Sequence, residues 1–228
     1  MKPTVTAVVP AAGSATRMRG GDKILTPVNG LPLIGYSLSA LEASPLIDEI
    51  IIAARDSDIL PIAGLCKAMG FQKVSGILRG GSSRPHTVLK VLVETRADIV
   101  AIHDGARPCL SVSLCDAVIR KAIETGAAVP GLPITDTVKV TGASRIITGG
   151  ADRGTLFTVQ TPQCFETALI RGALAKALRD GNPVTDDSAA AEALPYPVHI
   201  VPGEARNIKV TTPDDLVFAE VFLRGDTV

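Results

Sequence analysis

Two cations follow a strand that ends in residues with almost no side chain. In TVTAVVPAAGSATRMRGGDK the run Ala11-Ala12-Gly13 leads to Arg17 and Lys23. Small residues let a base or a phosphate approach the backbone closely and accept hydrogen bonds from exposed amides. Two cations beside such a cradle can neutralise the charge that builds up during phosphoryl or nucleotidyl transfer. The same stretch would also serve as a plain strand–loop–helix connection with solvated basic groups. It carries neither a Walker G-x-x-x-x-G-K-[ST] nor a Rossmann G-x-G-x-x-G, so neither a P-loop ATPase nor a dehydrogenase is supported.

A second group is His103-Asp104-Gly105-Ala106-Arg107, which follows an apolar run. A carboxylate at the end of a buried strand can hold a Mg²⁺ that bridges triphosphate oxygens, or accept hydrogen bonds from a ribose. It could equally cap a helix or pair with Arg107. His103 is expected to pack and hydrogen-bond rather than transfer protons. A third group is Asn207-Ile208-Lys209-Val210, read as a short strand that could point its lysine into a cleft, although a lone lysine there is commonly a surface group.

These groups need a frame, and the chain supplies one. β-branched runs at 4–10, 48–55, 73–80, 98–105 and 127–134 alternate with helical spacings such as Ile34, Leu38, Leu41 and Val88, Val91, Leu92. Strand–helix alternation predicts right-handed crossovers and an α/β fold with a mostly parallel sheet flanked by helices, whose ligands bind beyond the strands' carboxyl ends. The stretch 135–165 breaks the rhythm and reads as hairpins or an extended arm. Helical patterns return at 166–181 and from Thr212, where Thr212 can cap, Pro213 suits the first turn, and Asp214 and Asp215 suit the helix dipole. No linker, repeat or low-complexity segment divides the chain, which is read as one domain over 1–228.

Composition narrows the function classes. Of 228 residues 46% are hydrophobic but only 3% aromatic, so the core must be aliphatic, as in strands covered on both faces. Lys plus Arg equals Asp plus Glu at 23 each, so no global field points to nucleic acid or an anionic membrane, and neither is expected as a partner. The amino terminus lacks a signal-peptide apolar region and no apolar run reaches membrane-spanning length, so a cytoplasmic location is expected. Cys66, Cys109, Cys115 and Cys164 lack zinc spacing and are expected to be reduced, mostly buried thiols.

The stretches PAAGSATRM, GGSSRPHTV, HDGARP, ITDTVK, DRGTLFTVQTPQCF, VTDDSAAAE and NIKVTTPDDL, in that order, resemble the 2-C-methyl-D-erythritol 4-phosphate cytidylyltransferase family of the non-mevalonate isoprenoid pathway. The resemblance implies a Rossmann-like nucleotidyltransferase fold with a protruding β-arm at about 135–160 that makes a homodimer. It also implies cytidylyl transfer from CTP to the acceptor's phosphate, with Mg²⁺ as the divalent cation. By the same resemblance Arg17 and Lys23 stabilise the α-phosphate and the leaving pyrophosphate, while Arg153 and Lys209 position the acceptor phosphate. Arg153 would serve the neighbouring subunit if the arm is exchanged. Ala11, Ala12, Gly13, Gly81, Ser82 and Thr87 fall on the cytidine pocket, and Asp104 on the ribose and Mg²⁺ position. Arg107, Thr137 and Thr185 line the acceptor side.

Three departures are visible: Ala15 where the family usually has a glycine, Asp22-Lys23-Ile24 where it has Pro-Lys-Gln, and Thr87 where serine is common. None removes a charged catalytic group. The nearest rival is a ribitol 5-phosphate cytidylyltransferase, whose loop tends to begin with AGG and which lacks a run like Thr185 to Ala189. An NDP-sugar pyrophosphorylase would echo Ala15-Thr16-Arg17-Met18 but not TPQ and NIKV. A regulatory subunit without catalysis would not be expected to keep Arg17, Lys23, Arg153 and Lys209 together.

Overall fold

A computed structural model describes residues 2–13 and 24–224 of the chain. The first half runs β1 (Val5–Ala11), β2 (Pro27–Val28), β3 (Leu31–Pro32), α1 (Leu33–Ala43), β4 (Glu49–Ala54), α2 (Asp56–Met69), β5 (Val74–Arg79), α3 (Arg84–Glu94), β6 (Ile99–Ile102), α4 (Val112–Thr125) and β7 (Ala127–Pro133). The second half runs β8 (Lys139–Thr141), β9 (Ile147–Gly150), β10 (Phe157–Val159), β11 (Gln163–Glu166), α5 (Thr167–Arg179), α6 (Asp187–Glu192), β12 (His199–Pro202) and α7 (Pro213–Arg224).

Among the described residues the main sheet has eight strands. β5, β4, β1 and β6 pair in parallel, as do β7 and β12. β11 lies between β6 and β7 and runs against both, and β10 continues along the same edge of β7. β1 is thus the point from which the chain winds outward in two directions. Its carboxyl end is where an open parallel sheet offers a ligand crevice.

The period-2 alternation of β1 shows why the chain folds this way. Val5, Ala7 and Val9 face one layer, with Ile34, Leu38 and Leu41 of α1, Ile62 of α2 and Val118 of α4. Val8 faces the other, with Val88, Val91 and Leu92 of α3, Leu174 of α5 and Ala190 of α6. Aliphatic residues fill both layers, and Phe165 is the largest fully buried side chain. Cys66, Cys115 and Cys164 are buried, and burial pushes the Cys115 thiol up to about 12. They behave as small hydrophobes rather than nucleophiles. No described helix is long and apolar enough to cross a membrane.

Two sequence expectations need correction. Only part of 135–165 stands away from the body. β8 and β9 form a two-stranded hairpin with every residue exposed, but β10 and β11 belong to the main sheet. Asn207–Val210 is not a strand. It is an extended segment fastened by Val210 N–H to the Ala106 carbonyl at 2.9 Å, and its sheet-like composition reflects burial of Asn207 and Val210 rather than pairing. The start of α7 matches expectation. Thr212 Oγ1 accepts from Asp215 N–H at 3.4 Å, and Asp215 Oδ2 accepts from the amides of Thr211 and Thr212 at 2.7 and 2.8 Å. This reciprocal cap satisfies helix-end donors that would otherwise be orphaned.

Candidate active site

At the carboxyl end of β1, Ala11 is buried in register with Ala54 of β4, Ala12 is half-buried and Gly13 is exposed. The loop from β5 to α3 packs against this end closely enough to dictate its composition. A Cβ on Gly80 would stand 2.2 Å from the Ala12 methyl, and one on Gly81 would stand 2.6 Å from His86 Cβ. Gly81 N–H donates to Thr87 Oγ1 at 2.9 Å, and Thr87 Oγ1 donates to the Ser83 carbonyl at 2.8 Å. The Thr87 hydroxyl therefore shapes the loop from within. Lys90 supports the other side, donating to the Gly80 carbonyl at 3.1 Å. The result is an open cleft of about 840 Å³, lined by Ala12, Gly80, Gly81, Ser82, His86 and Lys90 among others.

Just past β6, Asp104 lies at the centre of a chain of charges. Its Oδ1 faces Arg84 Nη2 at 3.2 Å and its Oδ2 faces Lys209 Nζ at 2.7 Å. Arg84 Nη2 also reaches Asp187 Oδ2 at 2.7 Å. Burial alone would raise the Asp104 carboxyl, but the Arg84 and Lys209 cations outweigh it and hold the group well below the usual carboxylate range. Burial likewise opposes the Arg84 charge, and Asp187 and Asp104 more than restore it. At Asp187 burial wins and pushes the carboxyl up, with Arg84 opposing it. Asp104 pairs with these two cations rather than with Arg107 or as a helix cap.

The backbone around Asp104 is fixed by a relay. Asp104 N–H donates to Thr161 Oγ1 at 3.2 Å, and Thr161 Oγ1 stands 3.1 Å from His103 Nδ1. His103 Nε2 stands 3.1 Å from the Arg107 carbonyl, which can only accept, so Nε2 carries the proton and Nδ1 accepts from Thr161. His103 is fully buried, and burial pushes its pKa down to about 4, so the ring is neutral. Its role is packing and hydrogen bonding, as its sequence context suggested. Arg107 Nη1 donates to the Asn207 carbonyl at 2.7 Å, and Asn207 Nδ2 donates to the Thr161 carbonyl at 2.8 Å. Asn207 is fully buried and so ties the segment carrying Lys209 to the turn carrying Thr161.

Of the candidates named from sequence, the fold gathers Ala11, Ala12, Gly13, Gly81, Ser82 and Thr87 on one side of the β1 end, and Asp104, Arg107 and Lys209 on the other. Thr185 is exposed just before α6. Arg153 and Thr137 lie out on the arm. Arg153 is exposed, and its Nη1 donates to the arm's own Thr135 carbonyl at 2.9 Å. Arg17 and Lys23 lie outside the described residues. Sequence reasoning gave no role to Arg84, Asp187 or Thr161, and named Asn207 only as a neighbour of Lys209. Arg84 and Asp187 sit inside the quoted motifs GGSSRPHTV and VTDDSAAAE, but their meaning comes from a pairing between the two.

A crevice with an open cleft roomy enough for a nucleotide on one wall and paired cations on the other suits transfer of a nucleotide to an anionic acceptor. Residues 5–225 match the family model described as 2-C-methyl-D-erythritol 4-phosphate cytidylyltransferase. A protein of that name from Syntrophus aciditrophicus is 41% identical over 99% of this chain and 98% of its own length. Another from Lachnoclostridium phytofermentans is 39% identical over 96% of each. Among solved structures, the 2-C-methyl-D-erythritol 4-phosphate cytidylyltransferase from Thermus thermophilus is 34% identical, with a TM-score of 0.79 over 95% of this chain and 98% of that one. The 4-diphosphocytidyl-2C-methyl-D-erythritol synthase from Anaerococcus prevotii, at 28% identity, gives a TM-score of 0.87 over 98% of this chain and 100% of its own. With the match running from the first strand through the last helix, the chain belongs to the 2-C-methyl-D-erythritol 4-phosphate cytidylyltransferase family.

Proposed function

We propose that the chain performs this family's reaction by direct in-line displacement at the α-phosphorus of CTP. An oxygen of the methylerythritol phosphate attacks, the bond from the α-phosphorus to the pyrophosphate oxygen breaks, and pyrophosphate leaves with its electron pair. The acceptor is already a phosphate monoester with a nucleophilic oxygen, so alignment and charge stabilisation suffice and no covalent enzyme intermediate is needed.

The observation that carries the reading is the family match over 5–225, and the site geometry supports the division of labour. Ala11, Ala12, Gly13, Gly81 and Ser82 offer a close backbone approach for cytosine, with Thr87 holding the loop's shape. Asp104 takes the ribose side. Lys209 supplies a mobile point charge, and Arg107 a second cation, toward the acceptor phosphate, with Thr185 on the same side. Arg17 and Lys23 neutralise the α-phosphate and the leaving group. Arg153 and Thr137, exposed just after and just before the β8–β9 hairpin, belong to an acceptor site completed across a homodimer.

Mg²⁺ fits the donor set in one way. No group of three or more His, Cys, Asp or Glu side chains occurs among the described residues, so the ion would be held mainly by the phosphates of CTP, with Asp104 as the protein carboxylate. When bound it neutralises triphosphate charge.

The discriminating experiment offers purified protein CTP and Mg²⁺ with methylerythritol phosphate or ribitol 5-phosphate, and measures pyrophosphate release. Faster turnover of methylerythritol phosphate is expected. Faster turnover of ribitol phosphate would move the chain to the rival activity.

A further inference from the structure

Arg84 occupies an unfavourable place. It is the first residue of α3, where the helix dipole disfavours a cation, and its side chain is mostly buried. Its guanidinium divides between two carboxylates, Asp104 and Asp187. Asp187 is fully buried at the first turn of α6, and Arg84 is its only cationic partner among the described residues. Packing does not rest on this pair alone, because Val88, Val91 and Leu92 of α3 and Ala190 and Ala191 of α6 belong to one apolar cluster with Ile170, Ala173 and Leu174 of α5. Buried ion pairs are weak stabilisers, and a hydrophobic pair of similar volume often holds a fold as well or better.

We propose that Arg84 and Asp187 are positioning residues for cytidylyl transfer: Asp187 pins the Arg84 guanidinium, and Arg84 holds Asp104 Oδ1, so that Oδ2 remains the exchangeable oxygen. The reading rests on the assignment of Asp104 to ribose and Mg²⁺. The asymmetry is visible in the partners. Arg84 is fixed by a second carboxylate, whereas Lys209, on Oδ2, has a side chain 42% exposed and is the cation able to move. A planar fork can hold two carboxylates at once, and an ammonium cannot do so with the same geometry. Arg84 also follows Gly81–Ser83 directly, so the same anchor registers the base loop against the carboxylate.

The test uses the full chain in two variants of the pair, with Asp104→Asn as a third. Arg84→Met/Asp187→Leu removes both charges at similar volume, and Arg84→Lys keeps the charge without the fork. Each is measured for melting temperature, turnover, CTP affinity in Mg²⁺ by calorimetry, and cytidine affinity by competition. The double variant is expected to melt within a few degrees of the wild type. It should lose about tenfold or more in turnover and in Mg²⁺-CTP affinity, a tenfold loss being 1.4 kcal/mol, with cytidine affinity changed less than about twofold. Arg84→Lys should show the same split, and it decides alone if the double variant does not fold. Wild-type turnover and Mg²⁺-CTP affinity, or equal losses for CTP and cytidine, would overturn the proposal. Asp104→Asn separates the layers. If it leaves Mg²⁺-CTP affinity and turnover intact, the Asp104 assignment fails. If it impairs them while the pair variants do not, only the positioning role fails.

Discussion

Lys209 Nζ and Asp104 Oδ2 stand 2.7 Å apart, so the cation assigned to the acceptor phosphate and the carboxylate assigned to the ribose share one ion pair. Each sets the charge the other presents. Replacing Lys209 with alanine leaves Asp104 on Arg84 alone and removes a preorganised charge from the transfer. Turnover is expected to fall about a hundredfold or more, with the larger KM change on the acceptor. Lys209→Arg should recover little, since a fork does not reproduce a point charge. Near-normal turnover of Lys209→Ala in steady-state kinetics would remove Lys209 from the mechanism.

Gly80 tests the base wall. A methyl there would stand 2.2 Å from the Ala12 Cβ, a contact that side-chain rotation cannot relieve. Gly80→Ala is therefore expected to separate β1's end from the β5–α3 loop and weaken CTP binding by about tenfold or more, at a folding cost of about 1–3 kcal/mol. Ala12→Gly vacates the contested space, so the double substitution should bind CTP better than Gly80→Ala alone. Additive losses in a double-mutant cycle would show that the contact does not shape the pocket.

Much of this architecture was legible because its signals are local. Runs such as Ile50–Ala53 and Ile99–Ile102 are apolar on both faces, and a strand buried by helices on both sides must look that way. β11 was hidden because Gln163–Glu166 has no period of its own. Its strand character comes from pairing with β6 and β7, which local pattern does not encode. Lys209 was placed in a strand because isoleucine and valine flank it, whereas the segment is held by the Val210 amide on the Ala106 carbonyl and by the bonds of Asn207 to Arg107 and Thr161, with no strand pairing among the described residues. In the site, Asp104 was found from its place after a buried run. Arg84 was missed because Ser-Ser-Arg-Pro reads as a helix start, and its second carboxylate lies far along the chain on α6. The acceptor-side threonines came from motif resemblance alone.

Lys23 lies outside the described residues, and kinetics can test it directly. A charge aimed at the leaving pyrophosphate acts mainly in the transition state. Lys23→Ala is thus expected to lower turnover by about two orders of magnitude while changing CTP KM less. A loss confined to KM, with turnover intact, would reassign the residue to ground-state binding.

Arg153 separates a site within one chain from a site shared between two. It lies exposed in a single 3-10 turn just past β9, and its Nη1 donates to the Thr135 carbonyl on the same arm. Arg153→Ala should leave CTP affinity near the wild-type value and impair use of the acceptor. Mixed with Lys209→Ala protein under conditions that exchange subunits, it should regain a sizeable part of the lost activity. In a mixed dimer with swapped arms one site carries both defects and the other carries neither. No recovery, with exchange verified by a mass tag, would place each arm over its own chain's site.

The cap of α7 gives a pH prediction. Asp215 accepts from Thr211 and Thr212, and although partial burial opposes ionisation, these bonds hold its pKa down at about 2 against an ordinary 3.8. A carboxylate depressed on folding stabilises the native state in full above its unfolded pKa. That contribution fades as pH falls from about 4 through about 2. Asp215→Asn should therefore destabilise the protein at neutral pH by about 1 kcal/mol, the usual scale for a lost cap. Because Ala219 of α7 shares one apolar cluster with Val210, next to Lys209, acceptor KM should rise as the helix end frays. Urea midpoints for the two proteins should converge as pH drops from 4 toward 2. A gap that stayed constant over that range would assign the loss to packing rather than to the ionised cap.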